Sequence, residues 1–127
     1  MAWTLTVDRV IAPRDAASLR DPLPLLERLQ RAFGQRAVSR LLDVGAGTVA
    51  NWMSGKRSMS APMIKRVIDL HDVFNRALQI YEPQVVVDWL LGNDRYLDGR
   101  RPIDVLVLEG AGPLVEALDG HASLGYP

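Results

Sequence analysis

At 127 residues the chain has room for one domain or two small ones, and with 48% hydrophobic residues it can bury a genuine core. It contains no cysteine, which excludes a disulfide framework, a thiolate zinc site and a cysteine nucleophile. Its formal net charge is zero, but the charges are segregated along the sequence.

From Arg20 to Arg66 nine cations meet three anions, a net of +6; from Val67 onward four cations meet ten anions, a net of −6. This asymmetry predicts a basic module for a polyanion, followed by an acidic module for a different partner. The absence of cysteine fits a reducing compartment. The opening stretch MAWTLTVDRV has no basic run leading into an apolar one. No apolar stretch approaches the roughly 20 residues of a membrane helix. The expectation is a soluble, cytoplasmic protein.

Trp3, Leu5 and Val7 alternate with Thr4, Thr6 and Asp8, a period of two that reads as a short N-terminal strand or arm. Pro13 to Pro24 reads as a linker. Helical periodicity then begins. Leu25, Leu26, Leu29, Ala32 and Phe33 share one face, and Gly34 is the stop. Ala37, Val38, Leu41 and Leu42 form a second, short helix. Gly45-Ala46-Gly47 is a turn, and Val49, Trp52 and Met53 mark a third helix closed by Gly55. After the polar loop Lys56 to Ser60, Pro62 opens a long helix with an expected buried stripe of Ile64, Val67, Ile68, Phe74 and Leu78.

Beyond Pro83 three short apolar segments each begin near a proline and stop near a glycine: 83–92, 102–110 and 113–120. Val85-Val86-Val87 has strand propensity, but Trp89 and Leu90 continue the face of Val85 and Val86, which favours helix. The fold class expected is all-α. The arm and linker occupy residues 1–21, a helix-turn-helix domain 22–80, and a second helical domain with a C-terminal tail 81–127.

The stretch Gln35 to Arg57 reads QRAVSRLLDVGAGTVANWMSGKR. Two short helices joined by a tight turn leave the second projecting from its domain. With Val49 and Trp52 facing inward, Thr48, Asn51 and Ser54 face outward, and an asparagine there is suited to bidentate pairing with adenine. Arg36 and Arg40, four residues apart, share an exposed face and are placed to touch phosphates, as are Lys56 and Arg57 after the third helix. The bland alternative is a solvated basic face on a plain helical domain.

Through Ala37, Leu41-Leu42, Val44, Thr48-Val49, Trp52 and Gly55-Lys56-Arg57, this stretch resembles the helix-turn-helix of phage-repressor-like (Xre-type) regulators. Three positions depart from that pattern. Asp43 stands where glycine is frequent, Gly47 where a polar or basic residue is frequent, and Met59 where proline is frequent. Asp88-Trp89-Leu90, Asn93, Leu97, Gly99-Arg100-Arg101-Pro102-Ile103-Asp104-Val105-Leu106, Gly112, Val115 and Leu118 resemble the toxin-binding domain of Xre/MbcA/ParS-type antitoxins. The combined resemblance covers about Leu25 to Gly120, and the Gly-Arg-Arg-Pro-Ile-Asp run is its most specific part.

That resemblance implies a RES-domain, NAD-consuming toxin as partner, whose active-site cleft the C-terminal region covers. It also implies operator DNA as a second partner, and a homodimer within a larger complex is expected. Arg100 and Arg101 are the expected toxin contacts. The tail from Gly120 to Pro127 is read as extended, with Leu124 and Tyr126 as anchors. A stand-alone regulator with a C-terminal dimerisation region is the alternative.

Neither a catalytic role, a cofactor nor a metal is expected. Leu41 to Gly47 imitates the first motif of SAM-dependent methyltransferases, and Gly45-x-Gly47-x-x-Ala50 a dinucleotide fingerprint. Such a loop cradles a cofactor only between a strand and a helix, and no later strands are in sight to build the sheet. His71 and His121 are far apart in sequence and read as structural or surface histidines.

Overall fold

The computed structural model describes residues 21–123. Their secondary structure is entirely helical, in agreement with the all-α expectation. The strand expected at Trp3 to Val7 lies outside these residues.

Helix α1 spans Pro22–Phe33. The Asp21 carboxylate caps it by accepting from the Leu23 amide at 3.1 Å. Pro22 and Pro24 both fall in the first turn, where a missing N–H leaves no bond unmade. The linker read to Pro24 therefore ends sooner, because two prolines that look like breakers are compatible with a helix start. Gly34, at φ 91, ends the helix. Soon after the cap, the chain begins to bury Leu25, Leu26 and Leu29.

Helices α2 (Gln35–Leu42) and α3 (Ala46–Met53) follow, each of eight residues. Helix α4, Ala61–Ala77, is capped by the Ser60 hydroxyl, which accepts from the Met63 amide at 3.3 Å. Its buried residues are Val67, Leu70, His71, Val73, Phe74 and Ala77. Of the stripe expected from sequence, Val67 and Phe74 are fully inside, Ile64 and Ile68 are half-buried, and Leu78 is exposed at the helix end. The difference arises because α4 is packed on more than one side, against α1 and against helices from the C-terminal half. Phe33 and Phe74 meet edge to face with centroids 5.0 Å apart.

Pro83–Leu91 is helix α5 rather than a strand. Its inner face is Val86, Val87 and Leu90, while Val85 is exposed, one position off the expected face. A 3₁₀ turn at Arg95–Leu97 leads to α6 (Pro102–Glu109) and α7 (Gly112–Ser123).

One hydrophobic cluster runs from Leu25 and Leu26 through Val67, Leu70 and Val86 to Leu114 and Leu118. Helix α5 packs on α1 and α2, and α6 and α7 pack on α4. Residues 22–80 and 81–123 thus share a core. The boundary near residue 80 is a change of charge and punctuation, without a break in packing. Among the described residues no helix is long and apolar enough to cross a membrane.

Candidate nucleic-acid interface and partner-binding region

The turn between α2 and α3 is set by backbone conformation. Asp43 adopts the left-handed region at φ 56 and ψ 51. This lets the Asp43 amide bond the Arg40 carbonyl at 3.2 Å and the Val44 amide bond the Ser39 carbonyl at 3.0 Å. A left-handed conformation costs a residue with a Cβ roughly 1–2 kcal/mol, less for aspartate than for most. Asp43→Gly is therefore expected to raise stability by up to about 1 kcal/mol, offset in part by the entropy of glycine in the unfolded chain. A thermal melt showing the variant less stable than wild type would mean that the Asp43 carboxylate holds something the conformational argument leaves out.

Across the turn, Gln35 Nε2 donates to the Ala46 carbonyl at 3.1 Å, tying the first residue of α2 to the first of α3. Val49 and Trp52 are the two buried residues of α3, as the sequence predicts, whereas Met53, expected on the same apolar face, is exposed because it lies one position past Trp52, off the Val49–Trp52 stripe. Thr48 and Asn51 are half-buried and Ser54 is exposed. The chain then folds back on α3. The Asn51 carbonyl accepts from the Ser54 hydroxyl at 3.3 Å and from the Arg57 amide at 3.1 Å, which brings Arg57 beside the helix.

Two clefts meet at Val44. One, of about 580 Å³, is lined by Gln35, Arg36, Ser39 and Arg40 among others. The second, of about 320 Å³, includes Thr48 and Arg57. Arg36, Arg40, Lys56 and Arg57 are all exposed. Among the described residues none of the four has an ion-pair partner. Of the six sequence-nominated residues, Arg36 and Arg40 line one cleft, Thr48 and Arg57 line the other, and Asn51 is half-buried on α3. Lys56 sits in the exposed loop beyond. Gly47, exposed on α3, has open space where a side chain would project.

Arg100 and Arg101 behave differently. Arg100 Nη1 donates to Glu109 at 2.6 Å and Arg100 Nε to the Leu97 carbonyl at 3.0 Å. Arg101 grips Asp104 with two parallel bonds, from Nε at 2.9 Å and Nη2 at 3.0 Å. The hydrogen bonds to Glu109 and Asp104 raise the two guanidinium pKa values above their usual level, and Arg101 in turn holds the Asp104 carboxyl below its own. Asp104 also lies in the first turn of α6, where a negative charge interacts favourably with the helix dipole. Both arginines are thus engaged within the chain. Leu124 and Tyr126 lie outside the described residues. The tail expected from Gly120 onward needs correction, since α7 continues to Ser123 and His121 is buried within it.

Sequence reasoning misses the polar centre of the C-terminal half. Asp94 and His121 are both almost fully buried, at 4% and 3% exposure. Asp94 Oδ2 accepts from Trp89 Nε1 at 2.6 Å and from His121 Nε2 at 2.8 Å, and Oδ1 accepts from the Tyr96 amide at 2.7 Å. On the other ring nitrogen, Nδ1 lies 2.8 Å from the Tyr81 hydroxyl. Tyr81, Trp89 and Tyr96 surround the His121 ring. Gly120 is pressed so close to Tyr96 that a Cβ would lie 2.7 Å from the ring. The same loop is closed by Asn93 Nδ2 donating to the Gly99 carbonyl at 2.6 Å, and by the Asp94 amide donating to the Arg100 carbonyl at 3.1 Å. Asp94 is 27 residues from His121, so no local pattern announces the pair.

His71 is a second buried histidine. Burial, followed by the nearby Arg28, pushes its pKa down, and its Nε2 has no hydrogen-bond partner among the described residues. No three Asp, Glu or His side chains of the described residues converge as a metal site.

Comparison with protein-family models, with curated proteins and with solved structures returns no match for this chain. The described residues offer an exposed basic turn and a C-terminal body built around buried polar bonds.

Proposed function

We propose that the chain is an antitoxin of a type II toxin-antitoxin system. In this reading residues 35–57 act as a helix-turn-helix that binds operator DNA, and the acidic C-terminal half binds and neutralises a RES-domain, NAD-consuming toxin in the cytoplasm. One observation carries it. The four cations around α3 are exposed and uncommitted, whereas Arg100 and Arg101 in the acidic half are held by carboxylates of their own chain. Cations without an internal partner are the ones free to neutralise phosphates. The resemblance of Leu25 to Gly120 to Xre/MbcA/ParS-type antitoxins supplies the identity of the second partner, and a homodimer within the larger complex belongs to the same reading.

Gel shifts with the DNA upstream of the gene test the first half. Replacing Lys56 and Arg57 by alanine should weaken binding to all sequences and reduce the salt slope by about 1 for each phosphate no longer neutralised. Asn51→Ala should instead erode discrimination between operator and random DNA by about 1–3 kcal/mol. Wild type that binds no promoter DNA, alone or with the toxin, removes the DNA half of the reading. NAD consumption by the purified toxin tests the other half. Full-length protein that leaves consumption unchanged at excess removes it.

A further inference from the structure

We propose that His71 is a proton sensor built into the packing of α1 on α4, and that uptake of a proton there destabilises the whole fold as the medium turns acidic. The inference is independent of the antitoxin reading.

The two buried histidines are provided for in opposite ways. The His121 ring lies 2.8 Å from the Asp94 carboxylate through Nε2 and 2.8 Å from the Tyr81 hydroxyl through Nδ1. An imidazolium donates from both nitrogens, and at His121 each faces an oxygen. The His71 ring is as deeply enclosed, at 5% exposure. Its Nε2 has no hydrogen-bond partner among the described residues, and its Nδ1 has the Asn75 side-chain amide at the long distance of 3.4 Å. Its ring neighbour is Phe74, with centroids 5.8 Å apart, and Phe74 in turn meets Phe33 of α1. A charged ring in this place leaves a buried donor without an acceptor, which is costly.

The surrounding charges add to that cost. From α1, Arg28 presents a second cation, while Glu27 and Arg31 of the same helix do not act on the ring. On α4 the opposing charge is Asp72, which also lies 3.5 Å from Arg76. Asp104 and Glu109 of α6, and Glu116 and Asp119 of α7, belong to the other helices packed on α4 and do not act on the ring. Burial and Arg28 outweigh Asp72, so the folded-state pKa lies below the ordinary 6.5. Well above 6.5 the ring is neutral in the folded and the unfolded chain alike, and stability is complete. As pH falls below 6.5 the unfolded chain takes up the proton first, and stability is lost until the pH reaches the folded-state pKa.

The test follows the full-length protein by urea unfolding at about pH 7.5 and about pH 5.5, with His71→Gln and His71→Phe beside wild type. An unfolded-state pKa of about 6.5 lets His71 alone raise the wild-type unfolding constant by up to about tenfold over this interval. In both variants that part of the rise should vanish, while the carboxylates and His121 titrate alike in all three proteins. A second measurement does not depend on a variant that folds. The chain has two histidines, and the His71 ring proton in the assigned NMR spectrum of the native wild type should titrate below the ordinary 6.5. Either of two results overturns the proposal: a His71 ring that titrates at or above that value in the native chain, or variants that fold and lose stability with acid as steeply as wild type.

Discussion

Trp52→Ala is expected to cost about 3–5 kcal/mol of stability, the range for truncating a buried aromatic side chain. The indole is only 6% exposed and belongs to the main hydrophobic cluster. Helix α3 has just eight residues, too few to be stable by itself, and only Val49 and Trp52 fasten it inward. With Trp52 gone, Val49 and the bond from Gln35 to Ala46 would remain to hold the helix. DNA binding should therefore fall along with the melting temperature. A variant that melts like wild type but loses DNA binding would put the indole on the outer face and reverse the orientation of α3.

Asp94→Ala is expected to be comparably damaging, at about 3–5 kcal/mol. It strips the acceptor from three donors at once: the Trp89 indole, the Tyr96 amide and His121. Bonds to a charged acceptor are worth about 1.5–3 kcal/mol each, and buried donors left alone pay their desolvation in full. Asp94→Asn keeps part of the acceptor capacity and should fall between the two. Urea unfolding followed by tryptophan fluorescence reads the change. A loss under about 1 kcal/mol for the alanine variant would show that other groups take over these donors.

Punctuation makes most of the helical framework legible. Gly34, Gly55, Gly92 and Gly110 fall where helices end, and Pro62, Pro83 and Pro102 where they begin, because each residue type suits one end of a helix for a backbone reason. The inward face of α3 is also readable, since Val49 and Trp52 are one turn apart. Which face of a helix is buried is less readable where the helix has neighbours on several sides. That is why Leu70 does not stand out on α4 and Val85 reads as inward on α5. The contacts among Asp94, His121, Tyr81 and Trp89 bridge segments that only the fold brings together. The ion pairs of Arg100 and Arg101 depend in the same way on where Glu109 and Asp104 come to lie. A sequence displays charges and leaves open which of them are already spoken for.

The continuity of the core has a thermodynamic consequence. A cluster that runs from Leu25 to Leu118 couples the basic and acidic halves into one cooperative unit, with no plane along which they separate cleanly. Mass action then acts on the whole. Any ligand bound by one half of the native chain draws the entire population away from unfolded forms, and so protects the other half from proteolysis without touching it.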